Sequence, residues 1–145
     1  MQGFSTRTGH YRFPAESQSV SRARHAVTGF AREHGVPADL LGNIALAVSE
    51  ACTNVVVHAY RQDAGAGELS VGLVLGEGTL RIQIADEGIG MRPRIDSPGL
   101  GLGLPIIASV ADGFAIEPGA DGGTELCMRF DLASPLAAGS APLVA

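Results

Sequence analysis

Hydrophobic positions along this chain follow two periods. From Ser17 to His34, Val20, Ala23, Val27, Phe30 and Ala31 recur at helical spacing, with Arg22, Arg24, Arg32 and Glu33 between them. Gly35 is a natural stop, and Pro37 suits the first turn of a second helix. That helix, about Pro37 to Ala59, carries a core stripe of Leu41, Ile44, Val48, Ala51 and Val55, widened by Leu40 and Cys52. Glu50 and Asn54 sit at the border of the stripe, where polar groups can face a cleft. The period then shortens to two. Glu68 to Leu75 and Thr79 to Asp86 read as strands, with Gly76-Glu77-Gly78 as their hairpin turn. Leu102 to Ala111 is a short apolar helix. Gly113 to Glu117 and Thr124 to Asp131 are strands around the turn Ala120-Asp121-Gly122-Gly123, and His10 to Phe13 reads as an edge strand stopped by Pro14.

The order is therefore strand, two helices, hairpin, helix, hairpin. It predicts an α+β two-layer sandwich, with helices on one face of a mixed, mostly antiparallel sheet. Residues 1–9 read as a loose leader, 10–132 as one domain, and 133–145 as a disordered tail rich in Ala, Pro, Gly and Ser.

Composition narrows the function. At 145 residues and 46% hydrophobic, the chain is sized for one core. A formal charge of −5 repels nucleic acid, so no direct nucleic-acid partner is expected. All ten basic side chains are arginine, which excludes a Walker-type lysine loop and a Schiff-base lysine. Cys52 and Cys127 are far apart in apolar runs and read as two buried thiols, with no close Cys pair or Cys/His cluster to chelate metal. No secretory signal is apparent and no apolar run approaches membrane-spanning length, so a cytoplasmic protein with no membrane partner is expected.

Three motifs carry candidate chemistry. In Val48-Ser49-Glu50-Ala51-Cys52-Thr53-Asn54-Val55-Val56-Val57-His58-Ala59-Tyr60, Glu50, Asn54 and His58 stand one turn apart on one helix. An Asn oxygen suits Mg2+, which takes few protein ligands beside phosphates, and a Glu one turn away can remove a proton from an attacking hydroxyl or water. By itself this pair also fits a polar helix edge. In Asp86-Glu87-Gly88-Ile89-Gly90, a strand-end carboxylate can accept from an exocyclic amine, and the glycines let the backbone turn beneath a flat ring. In Gly99-Leu100-Gly101-Leu102-Gly103-Leu104, glycines open a helix whose amides can hold phosphate. These glycine steps are not the Rossmann spacing, and no βαβ unit surrounds them.

In this order the motifs resemble the GHKL ATPase superfamily and, within it, the anti-sigma-factor serine kinases of bacteria. The resemblance covers about Phe13 to Leu132, with Gly122-Gly123-Thr124 resembling the family's last box. It implies ATP and Mg2+ as cofactors, Glu50 as general base and Asn54 as metal ligand. It further implies Asp86 at the adenine amine, Gly88 and Gly90 beneath the ring, Gly101, Gly103 and Leu104 at the phosphates, Thr124 on the adenine side, and His58 near the phosphates or at the core edge. The implied partners are a STAS-domain anti-anti-sigma protein, which would be phosphorylated, a sigma factor, and a second copy meeting through the sheet or the first helix.

One stretch departs from that family. Met91 to Leu100, the lid position, is short and stiffened by Pro93 and Pro98, though Arg92 and Arg94 are placed to reach phosphate. It predicts a site that binds nucleotide better than it turns it over, and so keeps a second function open: a non-catalytic ATP-gated binding switch. A detached histidine-kinase ATPase domain is the third, weakened because no dimerisation helix with a phosphoacceptor histidine precedes the motifs.

Overall fold

In the computed structural model, residues 5–62, 67–87, 103–118 and 124–132 are described. The elements run β1 (Arg7–Pro14), α1 (Ser17–Glu33), α2 (Ala38–Gln62), β2 (Glu68–Gly76), β3 (Thr79–Glu87), α3 (Gly103–Val110), β4 (Gly113–Pro118) and β5 (Thr124–Asp131). The sheet order is β1-β2-β3-β5-β4, and all four pairings are antiparallel, so the sheet is not mixed in its hydrogen bonding. β5 slots between β3 and β4, leaving the β3-to-β4 connection to cross the sheet through α3.

Alternation fixes which face is covered. Leu69, Val71, Leu73 and Leu75 of β2, Leu80, Ile82 and Ile84 of β3, and Leu126, Met128 and Phe130 of β5 are all buried. They meet Ala23, Val27, Phe30 and Ala31 of α1, Ile44, Ala47, Val48, Ala51, Cys52 and Val55 of α2, and Ile107 of α3 in one core. Gly9 is needed here: a Cβ at this β1 position would lie 3.1 Å from the Phe30 ring. Among the described residues, no helix packs on the outer face of the sheet.

Ala38–Val57 corrects one sequence expectation, because its length and mean hydropathy of 1.6 do suit a membrane span. Its inner residues instead form the core against the sheet, which accounts for the apolar character. β1 also begins three residues earlier than the expected strand at His10, because Arg7, Thr8 and Gly9 pair with Leu75, Val74 and Leu73.

Two turns follow local chemistry. α1 ends in a Schellman motif: Gly35 has φ +87°, its N–H donates to the Arg32 carbonyl at 3.2 Å, and that of Val36 donates to the Ala31 carbonyl at 2.9 Å. Gly35→Ala keeps both carbonyls but forces a Cβ into the left-handed region. We expect a loss of about 1 kcal/mol in urea unfolding; an unchanged midpoint would remove Gly35 as the cap. The β2–β3 turn has positive φ at both Glu77 (54°) and Gly78 (74°), as the tight two-residue hairpins require.

Candidate functional site

α2 places the first two residues. Glu50 is half-buried at the edge of the core stripe, and Asn54, one turn on, is only 8% exposed. Next to Glu50, Ser49 accepts a hydrogen bond from Arg24 Nη1 at 3.3 Å, while Arg24 Nη2 donates to Ser21 at the same distance. This bridge ties α1 to α2 beside Glu50. Sequence spacing within either helix gave no sign of it, because the partners are 25 residues apart.

β3 places the third. Leu80, Ile82 and Ile84 point into the core, and Asp86 continues that same face at 3% exposure. The buried ladder of β3 thus ends in a carboxylate beneath the helix layer. Asp86 pairs in register with Leu69 of β2 on one side and with Thr124 of β5 on the other. Among the described residues, Asn54 and Asp86 are the buried side chains that carry an amide or a carboxylate. They are the exceptions on two faces, of α2 and β3, whose other inward residues are apolar.

α3 starts at Gly103 and packs on α2, with Leu104 half-buried and Ile107 fully buried. The eight-residue helix therefore packs against the element bearing Glu50 and Asn54. Gly88, Gly90, Gly101, Arg92 and Arg94 lie outside the described residues, as do the side chains of His58 and Thr124. The two residues that would hold ATP and Mg2+ from described positions suit that role chemically: Asp86 is an acceptor for an amine, and Asn54 offers a neutral oxygen to a hard cation.

The opposite face of the sheet is concave, with a trough of about 820 Å³ lined by residues that include His10, Gly72, Arg81, Gln83, Cys127 and Arg129. It lies away from Asn54 and Asp86, whose side chains belong to the helix-covered face. Here Cys127, expected to be buried, is half-exposed, because its register position faces outward. Pairing of β4 with β5 gathers ligand atoms of Glu117, Glu125 and Cys127 within 4.8 Å of one another, a grouping that appears only once the strands pair. Burial, then the Glu117 and Glu125 carboxylates, push the Cys127 thiol up, against a hydrogen bond from Gln83 that lowers it.

Burial alone pushes the Cys52 thiol up from 9.0 to about 12. Because the folded value lies above the unfolded one, its contribution to stability is full below pH 9 and is lost as pH rises towards 12. We expect iodoacetamide at pH 8 to label Cys127 slowly in the folded protein and Cys52 only after denaturation. Equal labelling of both thiols without denaturant would contradict the burial of Cys52.

An open antiparallel sheet, helices on one face, a Glu/Asn pair on the central helix and an Asp ending an inner strand form the layout of a GHKL ATPase domain. Residues 13–130 match the histidine kinase-like ATPase domain family. The serine-protein kinase RsbW of Bacillus thuringiensis (strain Al Hakam) is 32% identical over 120 residues, covering 72% of this chain and 74% of that protein. The anti-sigma F factor of Clostridium acetobutylicum is 31% identical over 129 residues, covering 81% and 89%. The chain belongs to the histidine kinase-like ATPase domain family, in its anti-sigma-factor kinase branch. In fold it is similar to the crystal structure of the RsbU and RsbW domains of Rv1364c from Mycobacterium tuberculosis. That likeness has a TM-score of 0.68 at 24% identity and covers 87% of this chain and 32% of that one.

Proposed function

We propose that this chain is an ATP-dependent anti-sigma factor that phosphorylates a serine or threonine of a STAS-domain antagonist, and that it acts in the cytoplasm. The observation that carries the reading is the presence of Asn54 and Asp86 as buried polar residues on the helix-covered side of an otherwise apolar core. The names of the relatives, a serine-protein kinase and an anti-sigma factor, support the partner class.

ATP supplies the phosphoryl group. Asp86 would accept a hydrogen bond from the adenine amine, Thr124, its register partner on β5, would support the adenine side, and Gly88 and Gly90 are assigned to the ring. Asn54 would hold Mg2+ through its side-chain oxygen, and the ion would neutralise phosphate charge. Gly101, Gly103 and Leu104 are assigned to the phosphates, since backbone amides at a helix start favour anions, and His58 is assigned to the same part of the site. Glu50 takes the proton of the acceptor hydroxyl as its oxygen bonds to phosphorus and the bond to the leaving phosphate breaks. Phosphorylation of the antagonist then frees this chain to hold its sigma factor. The uncovered face of the sheet supports a homodimer through that surface.

Magnesium tests the metal assignment. ATP affinity measured by calorimetry should fall on adding a chelator, and Asn54→Ala should abolish that difference. Wild-type affinity indifferent to chelator would count against Asn54 as the ligand.

A further inference from the structure

On the open face of the sheet, the last two strands gather three metal-ligating side chains. Glu117 of β4 stands directly opposite Glu125 of β5, and Cys127, two residues on, faces the same way. A carboxylate oxygen of each Glu and the Cys127 sulfur all lie within 4.8 Å of one another. Like charges directly opposite on an antiparallel pair destabilise it. Among the described residues, no arginine offsets these two. Arg129, outward on the same strand, is held by Asp131 Oδ1 at 3.1 Å and donates to the Asp112 carbonyl at 3.1 Å, while Arg12 pairs with Glu68. Glu125 is fixed instead by a neutral donor, Gln83 Nε2, at 2.9 Å.

We propose that Glu117, Glu125 and Cys127 bind a zinc-class divalent ion, at a site separate from the one that would hold Mg2+ at Asn54. The donor set chooses the ion. Magnesium and calcium take oxygen ligands, whereas one thiolate with two carboxylates suits a borderline-soft ion such as Zn2+. Geometry agrees. Around a tetrahedral zinc, with bonds of about 2.0–2.3 Å, ligand atoms stand about 3.3–3.6 Å apart. The three atoms therefore need to close by about 1 Å, which a rotamer change of the exposed Glu117 supplies. Gln83 acts as an outer partner that orients the Glu125 carboxylate, as metal-bound carboxylates require. Glu117 and Cys127 also line the trough, which leaves room for water at the remaining coordination position. On binding, the Cys127 sulfur bonds to the ion and its proton leaves to solvent. The ion offsets both facing carboxylates and fastens β4 to β5.

The test uses the full chain without nucleotide. Zinc is titrated against a chromophoric chelator, and cobalt(II) serves as its spectroscopic substitute. Zinc should bind one per chain with a Kd of about 1 μM or tighter, and cobalt should show the near-ultraviolet charge-transfer band of a metal–thiolate bond. Cys127→Ser should abolish that band and weaken zinc binding at least about tenfold, and Glu117→Gln should weaken it by a similar factor. Without metal, Glu117→Gln should unfold at the same urea concentration as wild type or higher, because it removes one of two facing charges; this also shows that the variant folds. A wild type that takes up no zinc at about 100 μM overturns the site, and so does a cobalt complex without the thiolate band. Equal zinc affinity in wild type and Cys127→Ser overturns it as well.

Discussion

Glu50→Gln is expected to cut phosphotransfer by about a hundredfold or more while leaving ATP affinity nearly unchanged. The substitution keeps size and helix propensity, and α2 is held by its core face, so the fold should not respond. On the proposed mechanism the loss is that of the base, since Glu50 is half-buried one turn before the buried Asn54. The carboxylate is engaged only as the acceptor hydroxyl ionises, so the loss falls on the transition state and not on nucleotide binding. A switch that binds ATP without catalysis makes a different prediction: no transfer by the wild type, yet partner binding that depends on ATP. Robust transfer by the Gln variant would remove Glu50 from the catalytic residues.

Asp86→Asn should have the largest effect on binding. Asp86 is 3% exposed at the inner end of β3, where the preceding inward positions are Leu80, Ile82 and Ile84. A charge-assisted hydrogen bond from a buried carboxylate to an amine is worth about 1.5–3 kcal/mol, so ATP affinity should fall at least about tenfold. Asn is nearly isosteric, and the amide can still accept one bond, so unfolding should change little. The guanine nucleotide offers a carbonyl where adenine has its amine. Discrimination against GTP should therefore shrink in the variant, an effect that a merely structural Asp86 would not produce. Equal ATP affinity in variant and wild type would sink the assignment.

Much of this arrangement was legible in the sequence, for physical reasons. The α1 and α2 stripes follow the helical period closely, so the buried residues Ala23, Val27, Ile44, Val48, Ala51 and Val55 were readable before any coordinates. β2, β3 and β5 bury one face only, so alternation marked where they run to within a residue. Pairing across the sheet was not legible. The register that sets Asp86 opposite Thr124, and the grouping of Glu117 and Glu125 with Cys127, arise when distant strands meet. The outward turn of Cys127 was missed because an apolar run was read as buried throughout, whereas alternation sends every second residue of β5 to the open face. The Arg24–Ser49 bridge was missed for a related reason: it depends on how α1 packs on α2, and a helical period gives the angle of a residue but not its neighbour.

The proposed activity of this chain is transfer of phosphate from ATP to a hydroxyl of a STAS-domain protein. Intact-mass spectrometry of each STAS-domain protein of the same genome, after incubation with the purified chain and magnesium ATP, tests it most directly. The account predicts one phosphate on a serine or threonine of at least one of them, present with wild type and nearly absent with Glu50→Gln. A protein that binds ATP tightly, yet leaves every STAS-domain protein at its unmodified mass, would contradict it.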